Sequence, residues 1–291
     1  MSKRENKRVL VLGGHGFIGR HAVKFLRQRG VEVIVGTRKA THKQELEVAL
    51  HKETAWTEKL VSYDVVLNCV GILRQRPGET YDKVHNIAAG AIAKACAERD
   101  VRFVHVSALG LSASAKSRFI TSKLKGEAVI QSVGGDWAIA RLSLLDGEGG
   151  YGAAWLRGVA KLPFFFAPTS ARGQIAALTA DDAGRALAAL CLDSADRLGF
   201  ADSRCFELGG SLTYSFEDYI RGLRHRYAES RAIALRVPGL VARAFAHVCD
   251  VFHFSPFSFG HWELLCRDNV PAPNRLPELL GREPERVIED T

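Results

Sequence analysis

No C-x-x-C pair occurs among the six cysteines, Cys69, Cys96, Cys191, Cys205, Cys249 and Cys266, which are scattered and partly set in apolar stretches. Neither a zinc ribbon nor a dithiol redox site is encoded, and a reducing, cytoplasmic compartment is expected. Near the amino terminus, Lys3, Arg4, Lys7 and Arg8 precede an apolar run that ends after Val9 to Leu12 at Gly13 and Gly14. That run is too short for a signal core or a membrane span, so no secretory leader is expected. The zinc-peptidase pattern H-E-x-x-H is missing, and no G-x-S-x-G elbow occurs, because His105 stands two residues before Ser107 where a hydrolase has glycine. The ten histidines do not cluster as ligands, so no metal is expected. Repeats and low-complexity tracts are also lacking.

What is present is an ordinary globular composition. The 291 residues, 47% hydrophobic and 25% charged, suffice for one large domain or two small ones with a substantial core. A formal charge of +8 invites a nucleic-acid reading, but Lys and Arg are spread along the whole chain without a known nucleic-acid pattern. No nucleic-acid partner is expected.

Val9-Leu10-Val11-Leu12 suits a strand buried on both faces, and it breaks into Gly13-Gly14-His15-Gly16-Phe17-Ile18-Gly19. Ile18, Ala22, Phe25 and Leu26 then recur at helical spacing, Gly30 stands where a C-terminal cap is expected, and Val31 to Val35 reads as a second strand. Strand, glycine turn, helix and strand together make a right-handed βαβ unit. The alternation continues with a strand over 64–70, an alanine-rich helix over 81–99, a strand over 101–106, a helix over 118–131 and a strand over 137–142. This predicts an α/β fold with a doubly wound parallel Rossmann sheet over residues 1–145. Residues 146–291 are less regular and are expected to form a smaller, partly interleaved C-terminal substrate or lid domain. Asp181 and Asp182 open a helix there, a position that favours capping and dipole complementation over acid–base work.

Glycine at 13, 16 and 19 gives G-x-x-G-x-x-G between a buried strand and an amphipathic helix. Missing side chains permit a tight turn, close approach of backbone to a diphosphate, and tight packing of helix on strand, while the helix N-terminus favours an anion. An NAD site usually places an acid at the end of the second strand, yet Gly36-Thr37-Arg38-Lys39 offers two cations and no carboxylate. A 2′-phosphate suits Arg38 as a fork and Lys39 as a point charge, so NADP(H) is the expected cofactor, with NAD(H) the alternative.

The glycine pattern, Asn68-Cys69-Val70-Gly71, Val104-His105-Val106-Ser107-Ala108, Lys123 and the segment 174–182 together resemble the extended and atypical short-chain dehydrogenase/reductase superfamily. Within it the chain is similar to the group holding the nucleotide-binding accessory subunit of mitochondrial complex I and bacterial nucleoside-diphosphate-sugar epimerase-like proteins; the segment 264–270 resembles the tail of that group. With the glycine turn, the resemblance implies cofactor contacts from Gly13, Gly16, Phe17, Ile18, Gly19, Arg38, Lys39, Cys69, Val70, Gly71 and Lys123.

The superfamily's signature is a serine followed by Tyr-x-x-x-Lys, whose Tyr exchanges a proton with the substrate oxygen. The resemblance implies catalytic roles for Ser107 and Lys123. Four residues before Lys123, however, stands Phe119, which keeps the ring and loses the acid. Three readings follow: a structural or redox-sensing NADP(H) binder, a reductase whose proton comes from Ser107, Thr121, Tyr151, His85 or water, or a shifted register. The favoured function is an oxidoreductase or epimerase-like activity of the atypical group, and the alternative is a non-catalytic NADP(H)-binding accessory protein.

Leu162-Pro163-Phe164-Phe165-Phe166 and the stretch 240–257 hold more phenylalanine than a surface needs. Core packing, an apolar pocket, a lipid-facing patch and a partner interface all fit that density. Arg243 and Asp250 exclude a transmembrane helix in the second stretch but permit an amphipathic helix lying on a membrane. A hydrophobic small-molecule substrate such as a quinone or isoprenoid is the expectation, with peripheral membrane or respiratory-complex contact as a further one.

Overall fold

Val9, Leu10, Val11 and Leu12 are all fully buried, which requires the first strand to be covered on both faces. The computed structural model describes residues 7–50, 56–199, 201, 203–227, 232–253 and 255–288; Lys3, Arg4 and Phe254 lie outside the described residues. Strand β1 (Arg8–Leu12) leads through the glycine turn into helix α1 (Phe17–Gln28), then β2 (Glu32–Thr37), the short edge strand β3 (Glu45–Glu47) and α2 (Trp56–Lys59). Strand β4 (Val65–Asn68) is followed by a π-helical segment, Asp82–Ala88, which runs directly into α3 (Ala89–Glu98). Next come β5 (Arg102–Ala108), α4 (Arg118–Ser132) and β6 (Trp137–Leu142).

Beyond them lie β7 (Leu145–Asp146), α5 (Tyr151–Ala160), β8 (Phe164–Pro168), β9 (Leu178–Thr179), α6 (Ala180–Leu192), α7 (Ala195–Leu198) and β10 (Cys205–Leu208). The chain continues through α8 (Phe216–His225), β11 (Ile233–Val237), α9 (Gly239–Phe252), α10 (Phe259–Leu265) and α11 (Leu276–Leu280).

The main sheet is seven-stranded and parallel throughout, in the order β10-β6-β5-β4-β1-β2-β3. Chain direction across the sheet reverses between β1 and β4, so a crevice opens there at the carboxyl ends of the strands. Alternate residues of β1 face opposite layers: Val9 and Val11 pack with Phe25, Leu26 and Leu187 of α1 and α6, while Leu10 and Leu12 pack with Ile92 and Phe103. A separate core around Phe165, Tyr219, Ile220 and Leu223 joins α8 to the parallel pair β8 and β11.

Two expected elements differ. The strand expected over 64–70 stops at Asn68, because the Asn68 side-chain carbonyl accepts the Val70 N–H at 3.1 Å and turns the chain. The helix expected from Tyr81 starts as the π segment, whose widened turns carry the buried His85 toward the loop after β4. Asp181 and Asp182 serve the structure: Asp181 binds Lys24 at 2.7 Å, and the fully buried Asp182 binds Arg282 at 2.5 Å and the Glu285 N–H at 2.7 Å.

Glycine 126 fixes how closely α4 meets the π segment, since a Cβ there would stand 1.9 Å from the His85 carbonyl oxygen. Gly126→Ala is therefore expected to lower the unfolding free energy by roughly 1–3 kcal/mol in urea titration, with an unchanged m-value.

Candidate functional site

The glycine turn is built by close contacts that leave one side open. Gly13 has φ of +73°, and a Cβ on it would press on Val70 at 3.0 Å and on the Cys69 carbonyl carbon at 3.3 Å. At position 19 a Cβ would stand 2.2 Å from the Gly13 carbonyl oxygen, so glycine there lets α1 sit against the turn. Gly16 is the N-cap of α1, and only the Gly13 oxygen, at 3.1 Å, lies near its missing Cβ. No side chain caps the helix and no acid occupies its first turn, so its amide N–H groups and positive dipole end suit a diphosphate.

The other expected contacts surround this turn. Phe17 turns its ring under the loop at Gly147 and Gly150, and Ile18 packs on the core. Cys69 and Val70 are half-buried and Gly71 is exposed. Arg38 and Lys39 stand exposed after β2; the Arg38 side chain is 84% exposed, with Glu79 at 3.7 Å. Glu47, opposite Thr37 at the end of β2, is exposed, whereas Glu45, opposite Val35, has its carboxylate spent. It accepts from the Thr41 amide at 2.6 Å and from His42 at 3.2 Å and contacts His15, bonds that hold its pKa at about 2.

At the carboxyl end of β5, Ser107 is buried and its hydroxyl has no hydrogen-bond partner among the described residues. A buried hydroxyl in that condition has donor capacity to spare. Lys123, on α4, is 8% exposed; burial brings its pKa down to about 8, against the opposing pull of Glu127. Glu127 is itself held by Arg141 of β6 at 2.6 Å, which pins α4 to the sheet. Burial, then the Lys123 charge, holds His85 at about 2 and His105 at about 3, so both imidazoles are neutral.

The proton sources considered besides Ser107 are mostly committed elsewhere. His85 accepts the Ile72 N–H at Nε2 (3.2 Å), so its Nδ1 donates to Ser122 Oγ (3.0 Å), which donates onward to the Phe119 carbonyl (3.0 Å). Thr121 Oγ1 donates to the Ser117 carbonyl at 3.0 Å, and Tyr151 is 59% exposed at the start of α5. Phe119 is buried in an aromatic cluster: Tyr81, His85 and His261 have ring centroids 5.6, 5.6 and 5.5 Å away, and the Lys123 ammonium lies 5.7 Å over its ring.

Beside Phe119 opens a cavity of about 650 Å³. It starts at the carboxyl ends of β5 and β6, with Ala108 and Ser143, and is walled by Trp155, Phe165, Phe245 and Phe257 from the later part of the chain. Its polar lining is sparse. Ser143 Oγ donates to the Asn269 carbonyl at 2.8 Å, and the Asn269 amide donates to the Leu264 and Arg267 carbonyls. His261 also lines it; burial lowers its pKa to about 4, and Nδ1 lies 2.6 Å from Ser258 Oγ. Ser258 Oγ accepts the His261 N–H at 3.1 Å and has a proton to give to Nδ1; in that tautomer Nε2 carries the ring proton.

His261 and its support were missed by the sequence reading. Glu263 binds the Lys116 and Ser117 N–H groups at 2.9 and 2.8 Å, and Arg74 binds Asp250 at 2.5 Å and the carbonyls of Ser255 and Phe257. No local pattern marks them, because each pair joins residues well over a hundred positions apart.

Lys123 makes the site costly to fold at neutral pH. Between about pH 8 and the ordinary lysine value of 10.5 the unfolded chain holds this proton and the folded chain has lost it, so stability rises with pH there. Lys123→Met is expected to be more stable than the parent at pH 7 by roughly 1–3 kcal/mol, with the gap closing toward pH 10 in urea unfolding. A gap independent of pH would show a hydrated ammonium.

Residues 9–131 match the model of the NAD dependent epimerase/dehydratase family. Over 283 residues the chain is 26% identical to the ceramide reductase of Caulobacter vibrioides, covering 93% of this chain and 88% of that protein. It is 29% identical over 144 residues to the mitochondrial NADH-ubiquinone oxidoreductase 40 kDa subunit of Neurospora crassa, but spans only 38% of that subunit's length and 45% of its own. A nucleoside-diphosphate-sugar epimerase from Staphylococcus aureus superposes with a TM-score of 0.74 at 12% identity, covering 96% of this chain and 97% of that one. The UDP-glucuronic acid 4-epimerase from Bacillus cereus, solved with UDP-glucuronic acid and NAD, gives 0.66 at 14% identity, with coverage of 96% and 94%. Such distant likenesses establish the fold. Over residues 9–131, from β1 to near the end of α4, the chain is similar to the NAD dependent epimerase/dehydratase family, and its parallel sheet is the fold of the solved epimerases.

Proposed function

We propose that this chain is an NADPH-dependent reductase of a carbonyl group on a long-chain lipid of the ceramide class, with residues 1–145 holding the cofactor and 146–291 supplying the substrate walls. The cavity carries this reading. Its walls are aliphatic and aromatic, and two of its polar residues, Ser143 and Asn269, are bonded within the protein. A sugar placed there would leave hydroxyls unpaired at about 1–3 kcal/mol each, whereas acyl chains gain from the same surface. The similarity to a ceramide reductase over 93% of the chain supports the same substrate class.

The glycine turn suits the diphosphate, and Arg38 with Lys39, both exposed just after β2, suits a 2′-phosphate. Bound NADPH supplies a hydride to the carbonyl carbon, and the carbonyl oxygen takes a proton to become the alcohol. Ser107 offers its unpartnered hydroxyl to that oxygen, and Lys123 holds the ribose hydroxyls. In place of the missing tyrosine, His261 Nε2–H is the neutral donor facing the cavity. Phe119 shapes the wall and moves no proton.

One observation favours a non-catalytic accessory role instead: Phe119, which has no hydroxyl, is packed by the rings of Tyr81, His85 and His261 and by Gly260. Turnover separates the two readings. Purified protein is expected to oxidise NADPH with an N-acylated keto-sphingoid base in detergent, and His261→Phe to lower kcat by about 10²–10⁴-fold with a smaller change in KM. NADPH protection against heating without turnover of that ketone would establish the accessory role. NADPH is expected to raise the melting temperature more than NADH at equal concentration, and Arg38→Asp to abolish that difference; equal shifts in the parent would refute the NADP assignment.

A further inference from the structure

The apolar cavity opens to the surface between side chains that keep much of their area exposed. Phe164, Phe166, Val241 and Phe245 line it and are still 44%, 65%, 56% and 50% exposed, so they form its rim. They come from two elements whose outer faces are apolar. On β8, Phe165 and Ala167 turn inward while Phe164 and Phe166 turn outward; the paired β11 sets Ile233 beside Phe164 and Leu235 beside Phe166, both also exposed. On α9 only Ala242, Ala246 and Cys249 are buried, and Leu240, Val251 and Phe252 are 80%, 72% and 72% exposed.

Cations outnumber carboxylates around this face. Arg243 on α9 and Arg236 on β11 are exposed, Arg236 keeping only a long 3.8 Å contact with Glu217. A neighbouring groove of about 500 Å³ reaches Val251 and is lined by Lys116, Arg118, His247 and His253. Asp250, the acid of α9, lines the same groove, where its charge is met by Arg74 at 2.5 Å and by the Phe259 N–H at 3.0 Å. Apolar side chains bordered by cations complement a bilayer surface carrying anionic headgroups. At 14 residues α9 is too short to span a bilayer and long enough to lie in its interface, and no helix among the described residues is long and apolar enough to cross one.

We propose that the outer faces of α9, β8 and β11 dock on an anionic lipid bilayer, with the cavity mouth facing the membrane so that a lipid enters without crossing water. The entry of substrate rests on the reductase reading; the docking rests on the surface alone. The occupant is a membrane and not a second copy, because a copy of this chain would bring Arg236 and Arg243 against their own kind, whereas anionic headgroups neutralise them.

Flotation of the full chain with phosphatidylcholine vesicles, with and without phosphatidylglycerol, tests this. The parent is expected to float with the anionic vesicles about tenfold more than with neutral ones, and to be released by high salt. Leu240→Asp with Phe252→Asp changes two exposed side chains outside the cavity lining. This variant is expected to lose flotation while keeping the parent's circular dichroism, its NADPH-induced melting shift and its turnover of detergent-dissolved ketone. Absence of flotation with either vesicle, equal flotation of the variant, or a concentration-dependent dimer abolished by the same substitutions would overturn the proposal. A chain that floats and does not turn over the ketone keeps this docking surface and loses the reductase reading, so the two failures are distinguishable.

Discussion

The buried carboxylate of Glu263 accepts two amide N–H groups at the start of α4, contributed by a segment 146 and 147 residues earlier in the chain. A carboxylate 6% exposed requires such partners, and a helix start supplies both donors and a favourable dipole. The arrangement around the cavity depends on this contact. It sets Gly260 against Phe119, where a Cβ would stand 2.9 Å from the Phe119 Cβ, and it brings the His261 ring 5.5 Å from the Phe119 ring. Arg74 acts in the same way from the loop after β4, binding Asp250 of α9 and two carbonyls between α9 and α10. Two buried ionic groups thus fasten an otherwise apolar wall onto the parallel sheet.

That wall changes the electrostatics beneath it. With water displaced, His85, His105 and His261 are all pushed toward neutrality, and Lys123 toward losing its proton. In the superfamily signature the lysine lowers the pKa of a neighbouring tyrosine; here its ammonium faces the ring of Phe119, an attraction that survives the loss of the hydroxyl. Lysine and ring remain together while the proton donor is absent. Among the neutral groups beside this cavity, His85 has both ring nitrogens committed, while Ser107 keeps an unpartnered hydroxyl and His261 lines the wall.

The half of the fold around the glycine turn was legible because its signals are local. The apolar quartet 9–12, the glycines at 13, 16 and 19, and the helical spacing of Ala22, Phe25 and Leu26 each act over fewer than twenty residues, and the strand expected over 137–142 is β6. The π segment at 82–88 was not legible, since its widening reflects where His85 must reach and not helix propensity. Nor was the pairing of β10 with β6, or of β11 with β8, which joins strands about 65 residues apart. The phenylalanine density at 162–166 and 240–257 was visible, but its division between cavity, core and surface was not: Phe165 is 2% exposed and its neighbours Phe164 and Phe166 are 44% and 65%. Strand alternation decides that, and it becomes readable only once the partner strand is known.

Fold alone leaves the substrate open, because sugar-nucleotide epimerases superpose on the same sheet at 12–16% identity. The decision lies in polar accounting. A pocket built for sugar hydroxyls must hold unspent donors and acceptors, since each buried hydroxyl without a partner costs about 1–3 kcal/mol and several of them exceed what shape can recover. This cavity spends the Ser143 hydroxyl on Asn269, spends the Asn269 amide on two backbone carbonyls, and surrounds them with Trp155, Phe165, Phe216 and Phe257. What stays available is one imidazole N–H, with the unpartnered Ser107 hydroxyl next to Ala108 of the lining, enough for one oxygen. A long-chain ketone presents one such oxygen at its reacting carbon and apolar surface along its chains. That count covers the reacting carbonyl and the chains of the proposed lipid and leaves its amide and hydroxyl to the cavity mouth; the sheet contributes only the place where the count is made.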